Sequence, residues 1–263
     1  MDDKKRAARY WFAFLILAVL LVVLFIWNVN AGSIHLSVGE ILNIIFRHQG
    51  DDTAYNIIWE IRLPRILAVI ILGGALSVSG FLLQTFFNNP IAGPFVLGIS
   101  SGAKLVVAFL MIFFLSRSIS MGSAAMIIAA FIGSMISMGF VLLVAKKVHN
   151  MSMLVISGVM IGYICSAVTD FVVTFADDSN IVNLHNWSLG SFSGMSWSNV
   201  RVMAAVVALT MIIVFFMSKP IGAYQLGEVY AQNMGVNIKL FRIALILLSS
   251  VLSACVTAFA GPI

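Results

Sequence analysis

Residues 84–103, QTFFNNPIAGPFVLGISSGA, are a polar and broken stretch between two long apolar runs. Asn88-Asn89-Pro90 and Gly93-Pro94 are typical of a turn, because proline lacks a backbone donor while asparagine and glycine tolerate tight backbone geometry. The next apolar run opens with little side-chain bulk, at Gly98, Ser100, Ser101 and Gly102. In a membrane, such irregular backbone survives only where protein or a water-filled cavity covers it. The stretch alone predicts either a tight loop between two spans or the lining of a cavity.

The composition identifies a membrane protein. Hydrophobic residues make up 61% of the 263 residues and charged residues only 10%, whereas soluble domains carry about 25% charged residues. The predicted fold class is therefore an all-α polytopic membrane protein, a tightly packed transmembrane helix bundle forming one domain over residues 1–263. In such a protein the net charge of +5 is a signal of topology rather than of nucleic-acid binding. Cys165 and Cys255 lie inside apolar runs and predict no disulfide framework.

Seven apolar runs are long enough to cross about 30 Å of bilayer hydrocarbon. They lie near residues 11–28, 66–87, 95–115, 121–145, 153–176, 199–218 and 240–260. The first run exceeds the ~7–15-residue apolar core of a secretory signal, so it predicts a retained span with a cytoplasmic N-terminus. Residues 29–61 predict a mostly polar loop that contains a short amphipathic surface helix over 37–46.

The basic residues support this orientation in the cell membrane. Nine of them would lie at cytoplasmic ends and loops and five outside, in agreement with the positive-inside tendency. The inner set is Lys4, Lys5, Arg6, Arg9, Lys146, Lys147, Lys219, Lys239 and Arg242, and the outer set is Arg47, Arg62, Arg65, Arg117 and Arg201. Lys104 lies within the third run and belongs to neither set.

Three spans carry small or polar residues at every fourth position, a pattern that brings helix backbones close in a membrane. The stripes are Ala125-Ala129-Gly133-Ser137, Gly158-Gly162-Ser166-Asp170 and Ser249-Ser253-Thr257-Gly261. Asp170 is an acidic group within a span, where such groups are expensive. It is interpreted either as a hydrogen-bonded structural carboxylate near the interface or as part of a proton or ion relay. The first interpretation is favoured, because a proton-coupled carrier needs more such groups.

The sequence contains no motif for enzymatic chemistry. It has neither a GxxxxGK[ST] phosphate loop nor a GxGxxG fingerprint after a strand, and its four histidines show no metal-ligand spacing. We therefore predict no enzymatic activity, no cofactor and no metal site. Energy-driven transport through this chain needs an ATPase on another chain.

The stretch 219–239, KPIGAYQLGEVYAQNMGVNIK, lies on the predicted cytoplasmic side between the sixth and seventh runs. Pro220 and Gly222 are interpreted as the end of one helix, and Gly235 as the C-terminal cap of a short second one. A helix of about nine residues is unstable alone in water, so it must pack on something. Either its own bundle or a cytoplasmic partner would cover a shared face of Leu226, Tyr230, Asn233 and Met234.

Short motifs recur along almost the whole chain. They are RLPR at 62–65, GFLLQ at 80–84, NPIA at 89–92, PFVLG at 94–98, SGA at 101–103, WSLGSFSGMSW at 187–197, LGEVYAQNMGV at 226–236 and AGPI at 260–263. Together they resemble those of the FecCD-like permeases, the membrane subunits of ABC importers for iron-siderophore complexes, haem and vitamin B12. The resemblance implies ten helices per subunit and a homo- or heterodimer with a second permease subunit, with the translocation pathway at the dimer interface. It also implies two cytoplasmic ATPase subunits, an extracellular substrate-binding lipoprotein, and an iron-siderophore, haem or cobalamin as cargo.

The resemblance also assigns roles to individual residues. Arg62 and Arg65 would meet acidic residues of the binding protein. The translocation pathway would be lined by Gln84, Asn89, Pro90, Gly98, Ser101 and Gly102. The cytoplasmic gate would lie near Asn150, Met151 and Ser152. Coupling to the ATPase would fall to Leu226, Gly227, Glu228, Tyr230, Met234 and Gly235.

Two features depart from the family pattern. Asn88 stands where many relatives have arginine, and the chain ends at Ile263 where relatives continue through three more spans. The second departure predicts either a fragment or a truncated protein. The predicted function is the permease subunit of an ATP-driven importer of an iron-siderophore-type chelate. The alternatives are an ion-coupled secondary transporter and a truncated membrane protein that does not transport.

Overall fold

A computed structural model of the chain describes residues 3–30, 38–47, 52–115, 123–145, 147 and 151–262. These residues form helices joined by turns, without a strand among them, which confirms the all-α class. The α-helices in the described residues are α1 Asp3–Asn30, α2 Val38–Arg47, α3 Asp52–Asn56, α4 Leu63–Phe87, α5 Ile99–Leu115, α6 Ser123–Ala145, α7 Met151–Val173, α8 Asp178–Ser188, α9 Trp197–Phe216, α10 Ser218–Gln225, α11 Glu228–Asn233 and α12 Ile238–Ala260.

Six helical stretches of the described residues are long and apolar enough to cross a membrane. They are Lys5–Asn30, Thr53–Phe87, Ala124–Val144, Met153–Val173, Trp197–Phe216 and Ile238–Ala260. The third apolar run of the sequence gives a shorter apolar helix, Ile99–Phe113, because its first residues form a 3-10 turn over Pro94–Leu97. Each of the seven predicted runs is therefore helical over most of its described residues, and the third gives a shorter helix than the sequence suggested.

The predicted polar loop over 29–61 is wrong at its C-terminal end. Helix α3 begins at Asp52 and continues through a π-helical segment, Ile57–Arg62, into α4. Pro64 has no backbone N–H to donate within a regular α-helix, and the π segment ends two residues before it. The predicted surface helix is confirmed, since α2 covers Val38–Arg47 and buries Ile41 and Ile44 on one face.

The prediction that Pro220 and Gly222 end a helix is also wrong. Helix α9 ends earlier, at Phe216, and both residues lie inside α10. Pro220 is the third residue of α10, where a backbone N–H has no intrahelical acceptor in any case, so proline is tolerated there. Gly235 follows α11 with a positive φ of 87°, which confirms its predicted role after the short helix.

The chain forms two units, and the prediction of one domain over 1–263 stays a prediction. The first unit consists of residues 1–70 and 193–200. Helix α1 is exposed over most of its length, and Val29 near its end joins a core with Ile41, Ile44 and Ile58. The indole N–H of Trp197 donates to the carbonyl of Trp59 at 2.8 Å, and the two rings lie 5.6 Å apart.

The second unit, residues 71–192 and 201–263, is built around α5. Helix α5 packs against α6, α7, α8 and α12, and no side chain between Ile99 and Ile112 is exposed. A Cβ atom added to Gly102 would lie 2.6 Å from the carbonyl oxygen of Gly133, so α5 and α6 cross with their backbones nearly in contact. The small-residue stripe on α6 therefore acts as predicted.

The small-residue stripe on α12 is also confirmed, because it forms the contact of α12 with α4. The hydroxyl of Ser79 on α4 lies 2.8 Å from that of Ser249 and 2.6 Å from that of Ser253. All three side chains are fully or almost fully buried. Hydrogen bonds between small polar side chains hold helices together where lipid supplies no hydrophobic force.

Candidate functional site

The turn between α4 and α5 is ordered by its own side chains and backbone. Asn88 adopts a positive φ of 48° just after α4 ends. The side-chain oxygen of Asn89 accepts a hydrogen bond from the backbone N–H of Ile91 at 2.9 Å, an Asx turn that the asparagine predicts. Gln84, Asn89 and Pro90 are exposed here. Of the residues predicted to line a pathway, these three are therefore accessible.

Gly98 and Gly102, by contrast, are buried between helices. Gly98 has a φ of 66°, and a Cβ atom there would lie 3.0 Å from the carbonyl oxygen of Gly158 and 3.0 Å from the backbone nitrogen of Gly162. Both features require glycine. In this unit the two glycines let α5 approach α7 and α6, and their place in a pathway stays a prediction. Ser101 between them is half-buried and faces α7 near Gly162.

The two arginines predicted to face a binding protein differ in their environment. Arg62 is half-buried and donates from its guanidinium to the backbone carbonyl of Val29, at the C-terminal end of α1. Cations at this position satisfy the last carbonyls of a helix and complement its dipole. Arg65, one turn further along, is exposed. Arg62 thus has a structural role within its unit, and Arg65 is the better placed of the two for a partner.

The segment over α10 and α11 is anchored on the bundle by a few specific contacts. Tyr224 is buried against Phe241, with ring centroids 5.2 Å apart, and its hydroxyl accepts a hydrogen bond from Nε of Arg242 at 3.3 Å. The same guanidinium forms an ion pair with Glu228 at 2.8 Å. Ala231 on α11 is fully buried. Arg242 was counted in the sequence only as a cytoplasmic charge, since nothing local indicates that it joins three helices.

The opposite side of this segment is apolar and uncovered. Leu226, Val229, Tyr230 and Met234 are 73%, 72%, 49% and 62% exposed. We call these four residues the α10–α11 surface. The predicted face of Leu226, Tyr230, Asn233 and Met234 is therefore exposed and is not covered by its own unit. Gly227, with a φ of 133°, starts α11.

Two of the sequence motifs meet at one end of α12. The backbone N–H of Ser191, in the WSLGSFSGMSW motif, donates to the carbonyl of Ala260 at 2.8 Å. Gly190 and Gly261 both have positive φ, and a Cβ atom on Gly261 would lie 2.7 Å from Cα of Gly190. Gly190 and Gly261 are thus explained by one backbone contact, which joins the end of α8 to the end of α12.

The remaining predicted residues add little geometry. Asn150 lies outside the described residues, and Met151 and Ser152 are the first residues of α7. The side chain of Asp170 is exposed and forms no hydrogen bond with the residues that the structure describes, so the hydrogen-bonded carboxylate expected there is not found among them. Within the same residues, no group of three or more histidine, cysteine or acidic side chains lies close enough to hold a metal ion.

Long apolar helices and crossings at small residues are the features of a polytopic membrane protein built as a helix bundle. A profile of the FecCD transport family matches residues 20–263. The chain therefore belongs to the FecCD transport family, whose members are permeases of ABC importers.

Individual relatives agree with this assignment. The hemin transport system permease protein HmuU of Yersinia pestis is 32% identical over 248 residues, covering 94% of this chain and 73% of that protein. The vitamin B12 import system permease protein BtuC of Klebsiella pneumoniae is 32% identical over 263 residues, covering 99% and 74%. A solved structure described as an inward-facing conformation of a putative metal-chelate type ABC transporter superposes with a TM-score of 0.81 at 25% identity, covering 95% of this chain and 76% of that one.

Proposed function

We propose that the chain is the membrane subunit of an ATP-driven importer that receives an iron-siderophore-type chelate from an extracellular binding protein. The subunit pairs with a second permease subunit, and two ATPase subunits bind on the cytoplasmic side. Its N-terminus is cytoplasmic, which the nine-to-five distribution of basic residues favours. In this orientation the α4–α5 turn and the α10–α11 surface are cytoplasmic, and Arg62 and Arg65 are extracellular.

The α10–α11 surface is the observation that carries the proposal. A soluble face seldom leaves four neighbouring apolar side chains uncovered without a partner. A cytoplasmic ATPase is the partner that a chain without a phosphate loop needs for driven transport. The anchoring of Tyr224 and Arg242 would transmit movements of such a partner to α12.

The energy source gives the first prediction. Uptake of a radiolabelled iron chelate by cells that express the chain with its partners is expected to stop when ATP is depleted. It should persist for several minutes when an ionophore collapses the proton gradient while ATP is maintained by glycolysis. Uptake that survives ATP depletion and stops with the gradient would instead establish an ion-coupled carrier, and uptake unchanged by deletion of the gene would establish a non-transporting protein.

The second prediction concerns docking of the binding protein, and it tests Arg65 and Arg62 in separate variants. Exposed Arg65 offers its charge to acidic residues of a partner, and such charges mainly set the association rate and its salt dependence. Arg65→Glu is therefore expected to weaken binding of the cognate binding protein by about tenfold or more at low salt. Binding to the transporter in nanodiscs by surface plasmon resonance measures this effect.

The matched variant is Arg62→Glu. Because Arg62 donates to the carbonyl of Val29 at the end of α1, this change is expected to lower the free energy of unfolding of the permease by an amount on the order of 1 kcal/mol. Its effect on docking should be smaller than that of Arg65→Glu. If Arg65→Glu leaves the affinity for the binding protein unchanged at low salt, the assignment of Arg65 to docking is wrong.

The choice of cargo rests on the resemblance to iron-siderophore permeases. Curated relatives include proteins named for hemin and for vitamin B12, so the three cargo classes must be compared directly. The decisive measurement is which of a ferric siderophore, haem or cobalamin binds to the purified cognate binding protein and stimulates ATP hydrolysis by the reconstituted transporter. A ferric siderophore is the expected answer.

A further inference from the structure

Lys104 is a cation within a membrane-spanning segment, and neither the fold nor the proposed function has used it. It lies about 7.5 Å along the axis from the start of α5 at Ile99. The side chain is half-buried. Its ammonium group takes part in no hydrogen bond or ion pair among the described residues. An ionisable group inside a span is expensive, and it marks a functional site by default.

The face of α5 that carries Lys104 points into the protein. Lys104, Ala108 and Met111 follow one another at the i, i+4 and i+7 positions, so they share a stripe of the helix. Ala108 and Met111 are buried in a cluster that includes Leu184 of α8. The lysine therefore lies on a face of α5 that is covered further along the helix by residues that include Leu184 of α8.

Ser101 places a second donor one turn before Lys104. Residues three apart on a helix are neighbours, with Cβ atoms about 5–6 Å apart. The Ser101 hydroxyl is directed towards α7, 3.6 Å from where a Cβ on Gly162 would lie, and it forms no hydrogen bond with the described residues. An ammonium and a hydroxyl next to each other supply several donors, and a negatively charged acceptor would make the strongest bonds with them.

We propose that Lys104 and Ser101 form a contact point for an anionic group of the cargo, such as a carboxylate, phenolate or phosphate oxygen. The contact would be made as the cargo crosses the cytoplasmic half of the pathway, and it selects negatively charged chelates over neutral ones of the same size. The inference rests on the proposed importer function and orientation. No bond is made or broken in this contact, which acts through charge and hydrogen bonding alone.

The electrostatic potential at position 101 can be tested with two thiol reagents of opposite charge. Ser101→Cys is introduced into a Cys165→Ala/Cys255→Ala background, since both native cysteines are free. The complete transporter, in inside-out membrane vesicles, is treated with negatively charged MTSES and positively charged MTSET. Lys104→Met is expected to lower the ratio of the MTSES rate to the MTSET rate by about tenfold, as loss of one nearby unit charge predicts. Lys104→Arg should keep the ratio.

Two controls make the result specific. Lys147→Met removes an exposed lysine outside the helices, and it should leave the ratio unchanged. Raising the salt concentration should lower the ratio in the Ser101→Cys protein itself, a measurement that does not depend on whether Lys104→Met assembles.

Three results would overturn the anion contact. They are no reaction of Ser101→Cys with either reagent, a ratio that salt does not change, and a ratio that Lys104→Met leaves unchanged in correctly assembled transporter. Failure of the importer function itself would look different. ATP-dependent uptake would be absent in that case, while the reagent ratio would still respond to Lys104→Met.

Discussion

Replacing Leu226, Tyr230 and Met234 together with serine is expected to abolish co-purification of the ATPase subunits, while the permease still inserts and folds. These side chains are about half or more exposed, at 73%, 49% and 62%, so they contribute little to the packing of their own unit. Aromatic and large apolar residues at the centre of an interface contribute most of its affinity, at about 2 kcal/mol or more each. If the three losses add, they total about 6 kcal/mol, which corresponds to an association weaker by about four orders of magnitude.

The measurement is the yield of ATPase recovered with an affinity-tagged permease after detergent extraction, together with the thermal stability of the permease alone. Leu240→Ser is the matched control, because Leu240 is 65% exposed at the start of α12 but lies outside the α10–α11 surface. Recovery of ATPase at the parental yield from the triple variant would contradict the docking assignment.

Glu228→Gln tests whether the Glu228 carboxylate contacts the ATPase itself or only holds α11 in place through its ion pair with Arg242. Glu228 is engaged by Arg242, and both side chains of this ion pair are partly exposed, at 43% and 28%. Exposed ion pairs contribute about 0–1 kcal/mol, so the amide is expected to reduce ATPase recovery only slightly. A loss as large as that of the triple variant would mean that the carboxylate itself contacts the partner.

The sequence predicts well those features that depend on local chemistry. The turn at Asn88 and Asn89 follows from residue types that tolerate positive φ and accept hydrogen bonds from nearby backbone. The stripes on α6 and α12 follow from the need of membrane helices for small residues at their crossings. Their partners were not identifiable in advance, since nothing near Gly102 or Ser79 in the sequence indicates which helix lies opposite.

Features that depend on tertiary contacts were predicted less well. The helical start of the second span at Asp52 was missed because its polar composition resembles a loop, whereas packing of Ala54 and Ile58 into the first unit's core stabilises it as a helix. Arg62 was assigned to docking alone, because its bond to the carbonyl of Val29 joins residues 33 positions apart. The role of Arg242 beneath Tyr224 and Glu228 was missed for the same reason.

Gly133→Leu is expected to destabilise the second unit strongly, whereas Gly139→Leu on the same helix is expected to be tolerated. A Cβ atom at Gly133 would overlap the backbone carbonyl of Gly102 and lie 2.9 Å from Cγ2 of Val106. Overpacking usually costs about 1–3 kcal/mol, and the cost here is expected at or above the upper end because the obstacle is backbone. Nothing lies within 4 Å of a Cβ atom at Gly139.

The melting temperature of the purified permease, followed by fluorescence-detected size exclusion, should fall by about 10 °C or more for Gly133→Leu. Val106→Ala is expected to recover only part of this loss, because it clears the side-chain clash and leaves the carbonyl of Gly102 in place. That incomplete rescue distinguishes a backbone crossing from ordinary side-chain crowding, in which the double variant would regain full stability. Equal stability of Gly133→Leu and Gly139→Leu would mean that α5 and α6 do not approach each other at these glycines, and the central position of α5 in its unit would then be wrong.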